Sequence, residues 1–344
     1  MMKEENVNDE LKNCTYIKAL LMLLVVLYHS CVFWTGNWIE EWNVMVPSKG
    51  LSIFANWLNS FHVYAFTLIS GYIFSYLRYE LHHYGDFNKF FLKKVHRLIL
   101  PAYFTSLVWI IPITMRLWKS GFSIARIISR YILAESPSQL WFLFMLFDCF
   151  VIAWFLNEYL INLYMGGLLS ISFYCVGVLG LHFLPNVFQI FTALNFFALF
   201  ELGILIRNNK RIGNNLRNVP PLMWVIADLG MFIMFTKLHL DKIGGGTATI
   251  LLNIIGALMA FYVLQYISSK VKWSKYRLFQ FFSKRSMTIY LFHQQVIYFT
   301  LLILNGKVNP YINVGINFLV SIVISSLIAL LISRFKIGRY LVGE

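Results

Sequence analysis

The chain has 344 residues, of which 59% are hydrophobic and 13% are charged. Soluble domains are about 45–50% apolar and about 25% charged, so a chain of this composition cannot cover a water-facing surface. The composition therefore predicts a polytopic membrane protein, and it excludes a disordered chain and a secreted disulfide scaffold.

Apolar segments of about 20 residues, the length that crosses ~30 Å of hydrocarbon, recur along the whole chain. Ten segments qualify: 16–35, 51–77, 98–115, 140–160, 165–183, 187–206, 220–237, 247–267, 286–304 and 311–333. The sequence predicts an all-α bundle of about ten transmembrane helices. It forms a single membrane-embedded domain, 13–335, after a short cytoplasmic tail, 1–12.

Lysine and arginine residues are unevenly divided between the two sides of this bundle. With the N-terminus inside, the inner segments carry 21 of the 29 basic residues and the outer segments carry 8. Basic residues accumulate on the cytoplasmic side of membrane proteins, so both termini are expected in the cytoplasm. The net charge of +14 is then mostly a signal of orientation, and no nucleic-acid partner is expected.

One outer segment, 116–139, departs from this rule because it carries four basic residues. Arg126 and Arg130 would share one face of a helix, whereas isoleucines would lie towards the other face. The pattern is typical of an amphipathic helix lying on the outer membrane surface. It also fits a contact with an anionic glycan or a lipid headgroup.

Ionisable side chains within membrane spans are costly and usually functional. At ~1.5 Å per residue, His29, His62 and His293 all lie near the middle of the bilayer. A lone membrane histidine is often only an interhelical hydrogen-bonding group, but three at one depth favour a polar catalytic or transport cavity. No metal is expected, because no ligand motif accompanies these histidines or the four cysteines.

Three acidic residues also lie within the spans: Asp148, Glu201 and Asp228. Each can either orient a histidine or form an interhelical hydrogen bond.

A second group of polar residues lies at the predicted cytoplasmic face. Lys94 and Arg97 share a helix face at the start of the third span, where free backbone N–H groups favour anions. Ser70 and Gly71, at the inner end of the second span, allow a ligand or another helix to approach closely. The group fits a phosphate site, and it equally fits the positive-inside rule with snorkelling side chains.

Short motifs around these residues resemble the membrane acyltransferase 3 family, which includes O-acetyltransferases of bacterial surface polysaccharides. In Y-I-K-A-L-L-M-L-L-V-V-L-Y-H-S, His29 falls on the essential histidine of the family. Lys18 stands at the arginine position of that motif, and Thr15 at its aspartate position. The segment F-H-V-Y-A-F-T-L-I-S-G-Y is similar to a family segment that has Met-Pro at Val63-Tyr64.

Later motifs follow in the family's order, so that the similarity runs from about 13 to 333. K-K-V-H-R-L-I-L-P-A-Y resembles a basic R-x-x-R motif, with Lys94 in place of the first arginine. L-W-F-L at 140–143, L-F-E-L-G-I-L around Gly203 and S-M-T-I-Y-L-F-H at 286–293 are similar to further family segments.

The resemblance implies an acyltransferase of the cell membrane, either a bacterial inner membrane or a plasma membrane. The donor would be cytoplasmic acyl-CoA, in the first place acetyl-CoA, and no tightly bound cofactor is expected. The acceptor would be a hydroxyl of a lipid-linked or cell-surface glycan.

The resemblance also suggests roles for individual residues. His29 would act as general base or carry the acyl group itself, and the sequence leaves both roles open. The acyl-CoA site would comprise Lys94, Arg97, Ser70 and Gly71. Residues expected to bind the acceptor or orient His29 are His62, His293, Glu201, Asp148 and Trp141.

Two other classes of membrane protein remain as alternatives. A polysaccharide or small-molecule transporter also needs a polar midplane, although no pair of interrupted helices in inverted repeats is visible. A glycan polymerase would need a large outer loop, whereas the longest outer loop here has about 24 residues.

Overall fold

The structure is a computed structural model that describes residues 2–39, 42–117, 123–238 and 245–344. Of residues 2–9 and 245–247 only the backbone is described. Within these ranges the chain is helical, with turns and short loops and without strands, as the composition predicts. The outer basic residues Lys119 and Lys242 lie outside the described residues.

Fifteen helices are numbered here in chain order. They are α1 Met2–Cys31, α2 Lys49–Asn59, α3 His62–Ser75, α4 Phe87–Leu117, α5 Ile124–Ile127, α6 Trp141–Phe155, α7 Asn157–Leu160, α8 Leu163–Phe183, α9 Ile190–Asn208, α10 Lys210–Arg217, α11 Pro221–Lys237, α12 Gly245–Lys270, α13 Arg277–Leu304, α14 Pro310–Ser333 and α15 Lys336–Leu341. Helix α4 contains two π turns, at Val95–Ile99 and Ser106–Ile110.

Eight of the described helices are long and apolar enough to cross a membrane. A ninth crossing is formed if α10 and α11, which meet at a bend of 85°, count as one broken span. The predicted polytopic all-α bundle is thus confirmed, with eight or nine candidate spans rather than ten.

The second predicted span, 51–77, is not one continuous helix. It is divided into α2 and α3 at Ser60 and Phe61, where Phe61 has the non-helical angles φ −138° and ψ −30°. The Ser60 hydroxyl donates to the Trp57 carbonyl and so satisfies an acceptor at the end of α2. His62 is therefore the first residue of a new helix instead of a residue within a longer one.

Helix α1 occupies a central position, because it contacts α3, α12, α13 and α14. Its sequence from Ala19 to Val26 is apolar on all faces and lacks glycine and proline, as expected of a helix surrounded by others. The predicted tail, 1–12, continues this helix from Met2. After α1 the chain makes a 3₁₀ turn and reverses at Gly36, whose φ of +83° suits glycine.

Helices α3 and α9 approach each other closely through two glycines. A Cβ atom added to Gly71 would lie 2.7 Å from the carbonyl carbon of Phe200, and one added to Gly203 would lie 2.7 Å from the backbone nitrogen of Tyr72. Both distances are shorter than a van der Waals contact, so only glycine permits this packing.

An ionic network joins α1, α3 and α9 at the predicted cytoplasmic end. The Arg207 guanidinium donates to Glu80 at 2.5 and 2.7 Å and to the Tyr72 hydroxyl at 2.9 Å. The Tyr72 hydroxyl in turn donates to Glu10 at 2.7 Å. Charge-assisted bidentate contacts of this kind fix the relative position of the three helices.

The described part of the predicted outer segment 116–139 contains α5 and the π turn Ile128–Ile132. Tyr131 and Ala134 are buried, whereas Arg126 and Arg130 are exposed. Ile124, Ile128 and Ile132 form an exposed apolar stripe beside them. This is the arrangement expected of an amphipathic surface helix.

Candidate active site

Two of the three predicted membrane histidines meet in the centre of the bundle. The Nε2 atom of His293 on α13 lies 3.3 Å from the Nδ1 atom of His29 near the end of α1. Their ring centroids are 4.9 Å apart. His293 is fully buried and His29 is partly accessible, so a ligand can reach the His29 ring.

Backbone carbonyls define where each imidazole carries its proton. The Nδ1 atom of His29 is 2.9 Å from the Val25 carbonyl oxygen, and that of His293 is 2.7 Å from the Tyr290 carbonyl oxygen. A carbonyl oxygen can only accept, so both neutral rings carry the proton on Nδ1 and a lone pair on Nε2. The His29 N–H is therefore shared between the Val25 carbonyl and the Nε2 lone pair of His293.

This arrangement leaves the Nε2 lone pair of His29 as the reactive position of the pair. No hydrogen bond to His29 Nε2 is formed within the described chain. A ring whose N–H is held by an acceptor on the far side is oriented as a general base requires. His29 can thus accept a proton at Nε2 while His293 stabilises the cation that results.

His62 lies near this pair but is engaged differently. Its Nδ1 donates to the Leu58 carbonyl at 2.7 Å and so satisfies an acceptor at the break between α2 and α3. Its ring lies 4.5 Å from that of Tyr28, the neighbour of His29. The His62 Nε2 atom is buried without a hydrogen-bond partner.

A cluster of three aromatic side chains, Trp38, Trp42 and Tyr298, adjoins His29. The Trp38 ring lies 6.0 Å from the His29 ring and 5.1 Å from the Tyr298 ring. Trp42 also approaches Tyr298, at 6.4 Å. These residues follow α1 in the chain or lie one turn beyond His293 on α13, and sequence reasoning did not select them.

A buried amide cluster, also missed from the sequence, completes this side of the site. Its members are Ser138, Gln139, Gln294 and Gln295, joined by hydrogen bonds of 2.8–3.2 Å between the start of α6 and the middle of α13. Two adjacent glutamines within an apolar span were the available signal, because buried amides need specific partners. Their partners are about 150 residues away in sequence, which no local pattern reveals.

The predicted anion site lies near the middle of α1, 11 residues before His29. Lys94 is buried, and its Nζ atom lies 3.2 Å from the centroid of the Phe150 ring and 5.2 Å from that of Tyr84. Arg97, one turn later, is exposed. Lys18 is close enough to both for their positive charges to interact.

This cation cluster, defined as Lys18, Lys94 and Arg97, has no acidic partner within the described chain. Basic side chains grouped in this way, without an acidic partner, favour the binding of an anion. A depression of about 510 Å³ opens between α1 and α13. It is lined by Thr15, one turn before Lys18, and by Lys12 and Lys284, but not by the three residues of the cluster.

Ser70 and Gly71 are both buried in the second half of α3. The Ser70 hydroxyl donates to the Phe66 carbonyl at 2.8 Å. Gly71 faces the backbone of Phe200, so its small size serves helix packing. A contact of either residue with acyl-CoA stays a prediction.

The other predicted orienting residues do not contact the histidine pair. One oxygen each of Asp148 and Glu201 is buried without a hydrogen-bond partner, and Glu201 lies against Gly166 on α8. Trp141 packs on Phe196 at 5.6 Å. No hydrogen bond or ring contact joins these three residues to the histidines in the described ranges.

Asp228, the third acidic residue, accepts a hydrogen bond from the Trp57 indole at 2.8 Å and so connects α11 to α2. Among the residues described, no group of His, Cys, Asp and Glu side chains is arranged to hold a metal ion.

Comparison with known proteins agrees with the motifs. A family model described as an acyltransferase domain matches residues 12–334, nearly the whole chain. Comparisons with curated proteins and with solved structures gave no match. The match includes the histidine pair and the cation cluster. The chain therefore belongs to the membrane acyltransferase 3 family and is an acyltransferase.

Proposed function

We propose that this protein is an O-acyltransferase that moves an acetyl group from acetyl-CoA to a hydroxyl of a lipid-linked or cell-surface glycan. The observation that supports the chemistry most directly is the His29–His293 contact of 3.3 Å, with His29 Nε2 left without a hydrogen-bond partner among the described residues. Acyl transfer to a hydroxyl needs such a base, because the hydroxyl must lose its proton as it attacks the thioester.

The reaction follows from this geometry. His29 Nε2 takes the proton of the acceptor hydroxyl while the hydroxyl oxygen attacks the thioester carbonyl carbon. The tetrahedral intermediate then collapses, the C–S bond breaks, and the CoA sulfur leaves with the proton held on His29. The products are an acetyl ester and CoA with a free thiol, and His29 returns to its neutral state.

His293 contributes while His29 is protonated. The shared N–H of His29 points at the His293 lone pair, so the positive charge of the imidazolium strengthens an existing hydrogen bond. His293 is itself held by the Tyr290 carbonyl at 2.7 Å, and therefore keeps that lone pair directed at His29. We assign His293 as the residue that positions His29.

The cation cluster would bind the phosphates of the donor. Lys18, Lys94 and Arg97 bring three basic side chains together without an acidic partner among the described residues, and a CoA moiety supplies negative charge. The depression of about 510 Å³ beside Thr15 is large enough for part of a nucleotide. The pantetheine arm would then extend along α1 towards His29, 11 residues further on at ~1.5 Å per residue.

The donor enters from the cytoplasm and the acceptor from the opposite side in this proposal. His29 lies close to the end of α1, whereas Lys18 lies 11 residues earlier, so donor phosphates and reacting carbonyl occupy different depths. The excess of basic residues at the Lys18 end supports a cytoplasmic location for it in the cell membrane.

Mass spectrometry of the surface glycan from cells with and without the gene tests this function. Loss of acetyl esters from an otherwise intact glycan is expected in the deletion strain. Loss of the entire exported glycan would instead indicate a transporter or a polymerase. Nothing in the fold or the family match favours those alternatives.

A second experiment separates the two roles of His29. Acid quenching of the protein with radiolabelled acetyl-CoA, without acceptor, traps label on the chain if an acyl-imidazole forms. A general base leaves the chain unlabelled.

A further inference from the structure

The buried amide cluster beside the histidine pair has a defined direction of hydrogen bonding. The Gln139 amide nitrogen donates to the Leu291 carbonyl at 3.0 Å and to Gln295 Oε1 at 2.9 Å. Its Oε1 accepts from Ser138 Oγ at 2.8 Å and from Gln295 Nε2 at 3.2 Å. Every donor and acceptor of Gln139 is thus used, so this side chain cannot turn over.

That fixed amide determines the orientation of the next two side chains. The Ser138 hydroxyl donates its one hydrogen to Gln139. Towards Gln294 it can therefore act only as an acceptor. Gln294 Nε2 donates to Ser138 Oγ at 3.1 Å and also to the Tyr298 hydroxyl. The opposite atom, Gln294 Oε1, is left buried without a hydrogen-bond partner.

Gln294 Oε1 and His29 Nε2 are therefore two acceptors without a partner among the described residues, and both belong to residues that adjoin the Trp38–Tyr298 pair. His293, which contacts His29, is the residue directly before Gln294 on α13. Trp38 touches the ring of His29 on one side and the ring of Tyr298, the partner of Gln294, on the other. A buried acceptor left unpaired costs free energy, so a bound group that donates hydrogen bonds would be favoured here.

We propose that Gln294 and Trp38 form the subsite that binds the glycan acceptor, with a neighbouring hydroxyl donating to Gln294 Oε1 while the reacting hydroxyl donates to His29 Nε2. The apolar C–H face of the sugar ring lies against Trp38. This inference rests on the proposed function and narrows the acceptor to a sugar with a free hydroxyl adjacent to the one that is acetylated. Carboxylates and phosphates offer only acceptors and are disfavoured at this subsite.

Acceptor kinetics test the subsite separately from the chemistry. Radiolabelled acetyl-CoA is supplied to the purified protein with increasing amounts of the glycolipid fraction extracted from the deletion strain. Gln294→Met keeps the size of the side chain and removes the acceptor atom, and Trp38→Ala removes the aromatic wall. Each should raise the half-saturating glycolipid concentration about tenfold, the effect of one lost hydrogen bond or comparable contact.

The same variants should leave the half-saturating concentration of acetyl-CoA unchanged. Gln265→Met, the same substitution on α12, is the matched control and should behave as wild type. Thermal unfolding in detergent identifies any variant that has lost its fold. Because Trp38 is only half-buried, Trp38→Ala should keep its fold and tests the subsite even if Gln294→Met does not fold.

The outcomes are distinguishable. If wild type labels the glycan and both variants keep the wild-type half-saturating glycolipid concentration, the subsite is wrong and the proposed function stands. If a variant raises the half-saturating concentrations of glycolipid and of acetyl-CoA equally, the subsite is also wrong, because such a change indicates a general disruption of the fold. If the wild-type protein labels no glycan, the proposed function fails and the subsite fails with it.

Discussion

The Nε2 atom of His293 accepts the N–H of His29 across 3.3 Å, and this contact joins two helices whose residues are 264 positions apart in sequence. The N–H is also held by the Val25 carbonyl at 2.9 Å, so the His29 ring is oriented from within α1 and from α13. The contact strengthens only when His29 becomes positively charged. His293 should consequently lower the barrier to acyl transfer without affecting donor binding.

Replacing His293 tests this role. His293→Leu should lower kcat about 10- to 100-fold, because a hydrogen bond to a charged group contributes about 1.5–3 kcal/mol. His293→Gln should recover part of the loss, since its amide oxygen can still accept from His29. Label transfer from acetyl-CoA gives kcat, and equilibrium binding of acetyl-CoA should be unchanged.

His182→Leu is the matched control for this series, because His182 is exposed on α8. Weaker acetyl-CoA binding in His293→Leu, with kcat unchanged, would contradict the positioning role.

The donor site is tested by neutralising its buried cation. Lys94→Met should weaken acetyl-CoA binding by about 1.5–3 kcal/mol, the value of a charge-assisted phosphate contact. Thermal stability should be maintained, because an apolar side chain of similar length replaces an unpaired buried charge among aromatic rings. Binding and unfolding measurements on the same detergent-purified sample check both statements.

The neighbouring Lys93→Met supplies the control, since Lys93 is exposed. Arg97→Ala should weaken acetyl-CoA binding by a similar amount. Lys94→Arg should restore the family pattern of charge, but the larger guanidinium has little room beside Phe150 at 3.2 Å, so a loss of stability is expected. Acetyl-CoA affinity equal to wild type in both Lys94→Met and Arg97→Ala would rule out this cluster as the donor site.

The close contact between α3 and α9 predicts a stability effect at Gly71. Gly71→Ala should lower the free energy of unfolding by about 1–3 kcal/mol, because the added methyl group overlaps the Phe200 backbone. Gly230→Ala, where nothing lies within 4 Å of the added atom, should be neutral or slightly stabilising. Thermal unfolding in detergent compares them, and equal midpoints would show that the contact is looser than described.

Cysteine labelling tests the orientation of the bundle. Asn215→Cys on α10 and Ser274→Cys, both at exposed positions, should be protected from an impermeant reagent in intact cells. Lys307→Cys, at an exposed turn between α13 and α14, should react and serves as the positive control. The background is Cys175→Ser, because Cys175 is the exposed native cysteine. Labelling of either inner position would reverse the proposed sidedness of donor and acceptor.

The helices were largely predictable because long apolar runs leave a chain few other solutions in a membrane. The break between α2 and α3 was not, since Ser60 and Phe61 include neither glycine nor proline. Gly71 was singled out in the sequence, but its role was ambiguous, because a small residue suits a ligand contact and a helix contact equally well. The contact with Phe200 on α9 decides the packing role.

The candidate site was only half visible in the sequence. His29 was identified through its motif and its depth, and His293 through its depth and the segment 286–293 that it ends. Their contact depends on the rotation of α1 and α13 about their own axes, which hydrophobicity does not encode when a helix is apolar on all sides. Gln294 and Gln139 could not be paired for the same reason, because they come from segments far apart in the chain.

The rate of acyl transfer by His29→Ala decides whether His29 is the general base. The measurement is transfer of label from radiolabelled acetyl-CoA to the glycolipid fraction, with protein amount and acetyl-CoA binding determined on the same preparation. We expect a rate lowered about 10²–10⁴-fold, the contribution of a general base, with acetyl-CoA affinity retained. Transfer at close to the wild-type rate would contradict it, whatever the membership of the chain in the family.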